Sequence, residues 1–392
     1  MTAVWALAAL WFALALVASL ASIYLRISAA LAEIVIGTGA QWLLGALFGA
    51  AILGADQPWI TFLAGAGAIM LTFLAGAELD PEVFRAKWKE ATALGAAGFV
   101  FPFLGCTAAA HYLLGWGVGA SWLGGVAMST TSVAVVYAVM LESGLNKTTF
   151  GKVILAACFI NDLGTVLALG FIFAPFDLKT LLFAVVAVAA FVAVPWLTPR
   201  LFRRHGDLPS ELEAKYLLLI LFALGGLAAW AGSEAVLPAY VLGLALAGSV
   251  GRDDRLIRRL RTLTLGLMTP FYFIRAGSLV AVPTLVAAPA AFLVMLAVKL
   301  ATKLVGVYPV TLAFGSPRRE AAYTTLMMST GLTFGTISAL FGLSHGIIDQ
   351  GQYSALVAAV VATAVVPTLI ANAFFLPHHL LGKHAEAVQE DA

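Results

Sequence analysis

Charge is scarce in this chain. Lys and Arg number 22 and Asp and Glu 20 among 392 residues, so 11% of positions are charged. An average soluble chain carries about 25%. So few charges cannot clothe a water-facing surface, which excludes a soluble enzyme and a disordered chain. Cysteine occurs twice, at Cys106 and Cys158, both inside apolar runs. With no CxxC and no His/Cys cluster, neither a disulfide scaffold nor a zinc centre is expected, and both thiols read as small core residues. Phosphate loops, nucleotide fingerprints and catalytic triads are missing, so no enzymatic activity and no cofactor are expected. The 37 glycines follow no G-X-Y period, which excludes collagen. Alternating strands of about ten residues are also missing, which excludes an outer-membrane barrel. No basic folded face is left for nucleic acid.

What is present is apolar sequence: 62% of residues, with a mean hydropathy of +0.99. The fold class this implies is all-α, a polytopic membrane protein. Apolar runs lie near 3–24, 31–53, 60–78, 90–114, 120–142, 151–174, 180–199, 213–231, 235–250, 262–281, 284–312, 320–341 and 352–376, which predicts about thirteen transmembrane helices. The first positive charge, Arg26, follows the first run, so that run is expected to be a retained helix and not a cleaved signal.

The basic residues are one-sided. After odd-numbered runs come Arg26, Arg85, Lys87, Lys89, Lys147, Lys152, Arg200, Arg203, Arg204, Lys215, Arg252, Arg255, Arg258, Arg259, Arg261, Arg318, Arg319 and Lys383. After even-numbered runs there is only Lys179, and Arg275, Lys299 and Lys303 lie inside runs. By the positive-inside rule the N-terminus is expected outside and the C-terminus in the cytoplasm of a cell (inner) membrane. Residues 1–376 read as a single transmembrane domain and 377–392 as a short cytoplasmic tail, with no room for a soluble regulatory domain.

A weak internal repeat is visible. Met128-Ser129-Thr130-Thr131-Ser132-Val133 in the fifth run resembles Met328-Ser329-Thr330-Gly331-Leu332-Thr333 in the twelfth. Copies an odd number of helices apart have opposite orientations, which predicts inverted repeats. Both copies are rich in small hydroxyl residues, which predicts two crossed broken helices with their dipoles aimed at a midplane site.

Asp162 sits in the middle of the sixth run. A carboxylate there costs several kcal/mol unless it is protonated or paired, so it is the leading functional residue. Asn161, Thr131 and Ser132 offer hard oxygens that could help desolvate a cation. Lys299 and Lys303, four residues apart, share a face of the eleventh run. Either a proton-coupling or a structural role fits them. Arg275 must be paired or must cap broken-helix carbonyls. Glu33, Glu78 and Glu142 read as interfacial or salt-bridged, Asp80, Asp253 and Asp254 as solvated loop charges, and His111 and His345 as surface histidines. An intramembrane aspartyl protease would need two embedded aspartates, and only Asp162 is fully embedded.

The set Phe73-Leu74-Ala75-Gly76-Ala77-Glu78-Leu79-Asp80, Thr131-Ser132-Val133, Asn161-Asp162 and the Lys303 run resembles the monovalent cation:proton antiporters. The branch is the one containing bacterial sodium/proton antiporters and the membrane domains of Kef-type potassium efflux systems. The resemblance covers roughly 1–376. It implies a homodimer in a lipid bilayer, transporting Na+ or K+ against H+ without a cofactor. Core helices at about 90–174 and 284–376 would move like an elevator, the remainder forming a dimerisation domain and a linker helix. Asp162 would bind the cation or the proton in competition. Electrogenic members carry an Asp-Asp pair whose first aspartate pairs with the lysine matching Lys303; here Asn161 stands in that place. Members with Asn-Asp usually place a glutamate near the broken fifth helix, paired with a membrane arginine. Arg275 is present here, but positions 131–133 read Thr-Ser-Val. An electroneutral cycle is expected. A sodium-coupled organic-anion symporter would need a wider polar or aromatic cavity, and an ion channel more pore-lining polar residues.

Overall fold

The computed structural model describes residues 2–25, 27–48, 53–77, 81–145, 148–173, 177–205, 210–233, 235–287, 289–377 and 379–380. Arg26, Glu78, Asp80, Lys147 and Lys383, and the side chains of Arg85 and Glu142, lie outside the described residues. Among those described there is no strand. The helices are α1 (Thr2–Leu25), α2 (Ala29–Phe48), α3 (Pro58–Ala77), α4 (Pro81–Ala108), α5 (Val118–Ser129), α6 (Val133–Ser143), α7 (Thr149–Phe173), α8 (Leu178–His205), α9 (Leu212–Trp230), α10 (Val236–Leu246), α11 (Asp254–Leu263), α12 (Thr269–Ser278), α13 (Val282–Ala287), α14 (Ala290–Ala313), α15 (Arg318–Met328), α16 (Thr333–Ser344) and α17 (Gln350–Ile370). Helices dominate because hydrocarbon offers backbone groups no partner, so each segment must bond to itself.

Ten of the described segments are long and apolar enough to cross a membrane. Several expected runs are not one unbroken helix, the run at 320–341 being split between α15 and α16. The run at 120–142 is split between α5 and α6, and 235–250 yields only the 11-residue α10. The run at 262–281 holds a π-turn over Thr264–Met268 followed by the ten-residue α12.

The chain divides into two compact units. The first comprises Met1–Ala18, Glu33–Pro81 and Val166–Ser278; the second comprises Ser19–Ala32, Glu82–Thr165 and Leu279–Ala392. In the first, α3 packs on α10 and α12. The α3–α10 seam is closed by glycine: a Cβ on Gly76 would lie 2.5 Å from the Tyr240 carbonyl oxygen and 2.9 Å from the Leu244 nitrogen. Close backbone approach between small residues is the usual source of helix association in lipid, where apolar burial between helices gains little. Around this seam Met70, Phe73, Leu217, Leu242, Leu246 and Leu260 form a buried core.

The second unit packs α14 against α15 and α17, and α16 against α5 and α17. Its core holds Leu94, Ile154, Cys158, Val307, Met327 and Met328. Cys106 and Cys158 are both free and buried.

Candidate functional site

The site grows from two interrupted helices of the second unit. α5 ends at Ser129, Thr130 is extended (φ −62°, ψ 152°), and α6 starts at Val133. α15 ends at Met328 and α16 starts at Thr333, with Leu332 at φ −153° and ψ −73°. Local chemistry makes these breaks. A helix end leaves carbonyls without partners, and short hydroxyl side chains can supply the missing donors. Ser129 Oγ donates to the Val126 carbonyl at 2.8 Å and Thr130 Oγ1 to the Ala127 carbonyl at 3.2 Å. In the other break Thr330 Oγ1 donates to the Met327 carbonyl at 2.8 Å. Ser132 Oγ accepts from the Val135 amide at 3.4 Å and so helps start α6.

The two breaks satisfy one another. Thr131 Oγ1 donates to the Met328 carbonyl at 2.8 Å, and the Ser132 amide donates to Thr330 Oγ1 at 3.4 Å. Lys303, fully buried on α14, donates from Nζ to Thr131 Oγ1 at 2.9 Å. Lys299, one turn away and equally buried, donates to Thr363 Oγ1 of α17 at 3.2 Å and packs against Gly331 in the second break.

Asn161 and Asp162 come from the middle of α7 and are 0% and 2% exposed. Asn161 Nδ2 donates to the Ser129 carbonyl at 3.2 Å, which ties α7 to the first break. Thr165, one turn on, donates to the Asn161 carbonyl at 3.2 Å and lies 3.4 Å from Ser129 Oγ. Asn161 Oδ1 and Asp162 Oδ1 are buried without a hydrogen-bond partner among the described residues. No ion pair within 4.0 Å joins Asp162 to a described lysine, although both Lys299 and Lys303 lie within its electrostatic reach. Each of these buried oxygens lacks a partner among the described residues, a deficit that a proton or a small hard cation would make good.

Asn161, Asp162, Thr131, Ser132, Lys299 and Lys303 therefore all belong to the second unit, and all but Asp162 bond to or pack on the two breaks. Arg275 does not: it lies in the first unit, where Nε donates to the Ala55 carbonyl at 2.8 Å and Nη2 lies 3.6 Å from Asp56. It thus holds the loop between α2 and α3, not a broken helix. Glu33, expected at the interface or in a salt bridge, is buried at 4% exposure inside α2. Asp253 is no free loop charge: Oδ1 accepts from the Arg255 and Leu256 amides and caps α11. His111 and His345 are exposed, their Nδ1 atoms 3.1 Å from the Trp116 carbonyl and 2.9 Å from the Phe341 carbonyl.

Sequence reading missed Thr165, Thr363 and Gly98. Thr165 had a signal, since it is four residues from Asn161 on one helical face. Gly98 had none: its role is space, a Cβ there lying 3.0 Å from Met328 Cε, 3.2 Å from Asn161 Nδ2 and 3.7 Å from Lys303 Nζ.

A multi-pass helical bundle with two interrupted helices and a buried carboxylate in the same unit fits a secondary transporter. The family described as sodium/hydrogen exchanger, transmembrane, matches residues 12–376, and the chain belongs to it. It is similar to the probable Na+/H+ antiporter 3 of Methanocaldococcus jannaschii, 26% identical over 343 residues, covering 84% of this chain and 87% of that protein. It is also similar to cation/H+ antiporter 18 of Arabidopsis thaliana, 25% identical over 343 residues, covering 83% of this chain but only 42% of the plant protein's length. The sodium proton antiporter MjNhaP1 of Methanocaldococcus jannaschii shares the fold, with a TM-score of 0.71, 16% identity and coverage of 97% of this chain and 98% of that one. The relatives are named as transporters and not as enzymes.

Proposed function

We propose that this protein exchanges a monovalent cation, sodium or potassium, for protons across the cell membrane, with Asp162 carrying each in turn. The observation that carries this reading is the pair of buried, unpartnered oxygens, Asp162 Oδ1 and Asn161 Oδ1. A carboxylate in hydrocarbon must be neutralised, and a proton or a cation can do so, but one carboxylate holds one of them at a time. Competition for one group couples the two fluxes when the empty, negatively charged site does not cross, because the carrier then returns only with the other ion bound.

In this reading the helices at about 90–174 and 284–376 are the moving core and the remainder the dimerisation domain and linker helix of a homodimer. The breaks at 130–132 and 329–332 are the crossing point of two inverted repeats. The Thr131 Oγ1 to Met328 carbonyl bond supports that view, since it joins the equivalent segments of the two repeats. Elevator motion of the core exposes Asp162 to each side in turn, with the N-terminus outside and the C-terminus in the cytoplasm. Thr131 positions Lys303, and Asn161 is the second oxygen ligand.

The test is proteoliposomes loaded with a pH-sensitive dye and given sodium, lithium or potassium in turn. A cation gradient should drive an opposing pH change for at least one of the three. Cation uptake without proton movement would refute exchange, and uptake of an organic anion with sodium would replace it by symport.

A further inference from the structure

The first unit carries an open crevice of about 420 Å3 between the end of α8 and the start of α9, lined by Leu201, Ser210, Leu212, Lys215, Tyr216 and Leu219. Its walls are three leucines and a tyrosine ring; the polar groups are the Lys215 amine and the Ser210 hydroxyl. Arg204 lies three residues beyond Leu201 on α8, so it shares the helical face that walls the crevice. Lys215 and Arg204 are both exposed, and neither makes an ion pair among the described residues.

The neighbouring charges are already engaged. Glu211 and Glu213, the acids nearest Lys215 in sequence, turn to Arg259 at 3.4 and 3.9 Å. Arg200 stacks over the Trp196 ring at 3.8 Å, and Arg203 Nε donates to the Pro199 carbonyl at 3.1 Å. Trp196 and Leu219 are 62% and 68% exposed, on a helix pair long and apolar enough to cross the membrane. An exposed tryptophan followed within a few residues by arginines is the usual composition of a helix at headgroup depth. The crevice thus has apolar walls and the Lys215 amine, with Arg204 on the adjoining turn of α8, and neither cation is ion-paired among the described residues.

We infer that this crevice is a binding site for an anionic phospholipid, with an acyl chain along Leu201, Leu212, Tyr216 and Leu219 and the phosphodiester between Lys215 and Arg204. A soluble phosphate would use the two cations but leave the apolar walls uncovered, whereas a zwitterionic lipid would use the walls but bring its own cation to Lys215. The site is separate from the exchange site, so it stands whether or not Asp162 carries the transported ion.

The experiment is native mass spectrometry of the full chain in detergent, supplied with equal amounts of phosphatidylglycerol and phosphatidylcholine bearing identical chains. The wild type should retain phosphatidylglycerol preferentially. Each cation near an anionic lipid is worth about fivefold in affinity, so the Lys215→Gln/Arg204→Gln double variant should lose about 25-fold. The Arg258→Gln/Arg261→Gln control, which removes two exposed arginines of α11, should retain phosphatidylglycerol much as the wild type does, since it leaves the crevice intact. Equal retention of the two lipids by the wild type would overturn the site. So would equal losses in the two double variants, which would mean a diffuse basic surface. Displacement of phosphatidylglycerol by inorganic phosphate at millimolar concentration would also overturn it, in favour of a bare anion site.

Discussion

Replacing Thr131 with valine keeps the volume of the side chain and removes its hydroxyl. That hydroxyl accepts from Lys303 Nζ at 2.9 Å and donates to the Met328 carbonyl at 2.8 Å. Both partners are buried, so the change leaves an amine and a carbonyl unsatisfied. Hydrogen bonds between transmembrane helices average about 0.6 kcal/mol in double-mutant cycles and reach about 1.7, because the reference state in lipid finds partners too. An amine donor belongs at the upper end. The Lys303–Thr131 coupling is therefore expected at about 1.5 kcal/mol, and Thr131→Val alone should cost about 2 kcal/mol because the Met328 carbonyl is orphaned as well. The assay is reversible unfolding in mixed micelles of wild type, Thr131→Val, Lys303→Met and the double variant, with Thr131→Ser as the variant that keeps the hydroxyl. Thr131→Ser keeps both bonds and should cost only its buried methyl group, about 1 kcal/mol. A coupling below about 0.5 kcal/mol would show that Thr131 does not hold the Lys303 amine, and the cross-brace between the two breaks would lose its main member.

Asp162→Asn should abolish cation-driven proton movement while the protein still inserts and folds; near-wild-type exchange in proteoliposomes would move the site elsewhere. If one proton competes with one cation for Asp162, the apparent KM for the cation should rise about tenfold for each pH unit lowered in the acidic range, while the maximal rate stays constant; a KM independent of pH would refute the competition. Lys303→Ala should lower activity or stability without abolishing exchange, and loss of all transport with folding unchanged would make the amine an obligatory carrier. Gly76→Leu should separate α3 from α10 and lower the thermal midpoint, because a Cβ already meets backbone there; an unchanged midpoint would refute that packing.

The helical architecture was legible because hydrophobic length and charge placement are linear properties of sequence. The breaks were legible because Ser129, Thr130, Thr131 and Ser132 all compete with the helix ladder for the same backbone groups. Asp162 announced itself by the energetic cost of its position. What could not be read were the partners. Arg275 lies inside an apolar run and reads as a cation that must be paired or cap carbonyls, but nothing in the sequence points to its partners, the Ala55 carbonyl 220 residues away and Asp56. Glu33 has the placement of an interfacial acid, and its burial at 4% exposure comes from packing partners that its place in the run does not reveal. Gly98 carries no chemistry of its own; it matters only because Met328, Asn161 and Lys303 converge on the space where its side chain would be.

Stoichiometry follows from which of these groups can change charge. Asn161 cannot titrate, and its amide is committed to the Ser129 carbonyl at 3.2 Å. Lys303 donates to a hydroxyl instead of a carboxylate, so arrival of a cation at Asp162 does not break an ion pair that would free the amine to release a proton. With Lys303 fixed in one protonation state, each cycle replaces one positive charge by another, and the membrane potential does no work on it. A net charge would feel about 2.3 kcal/mol per 100 mV, close to fiftyfold in the gradient the protein could sustain. The expected outcome is therefore a steady-state cation gradient set by the pH difference alone. Valinomycin and a potassium gradient clamp the potential in proteoliposomes exchanging sodium, and currents are recorded on a solid-supported membrane. A gradient unchanged between 0 and about −100 mV, with no sustained current, agrees with one-for-one exchange; a shift approaching fiftyfold shows a second proton. Repeating the measurement in Lys303→Met and Lys299→Met then assigns that proton, because only the variant lacking the carrier becomes insensitive to potential.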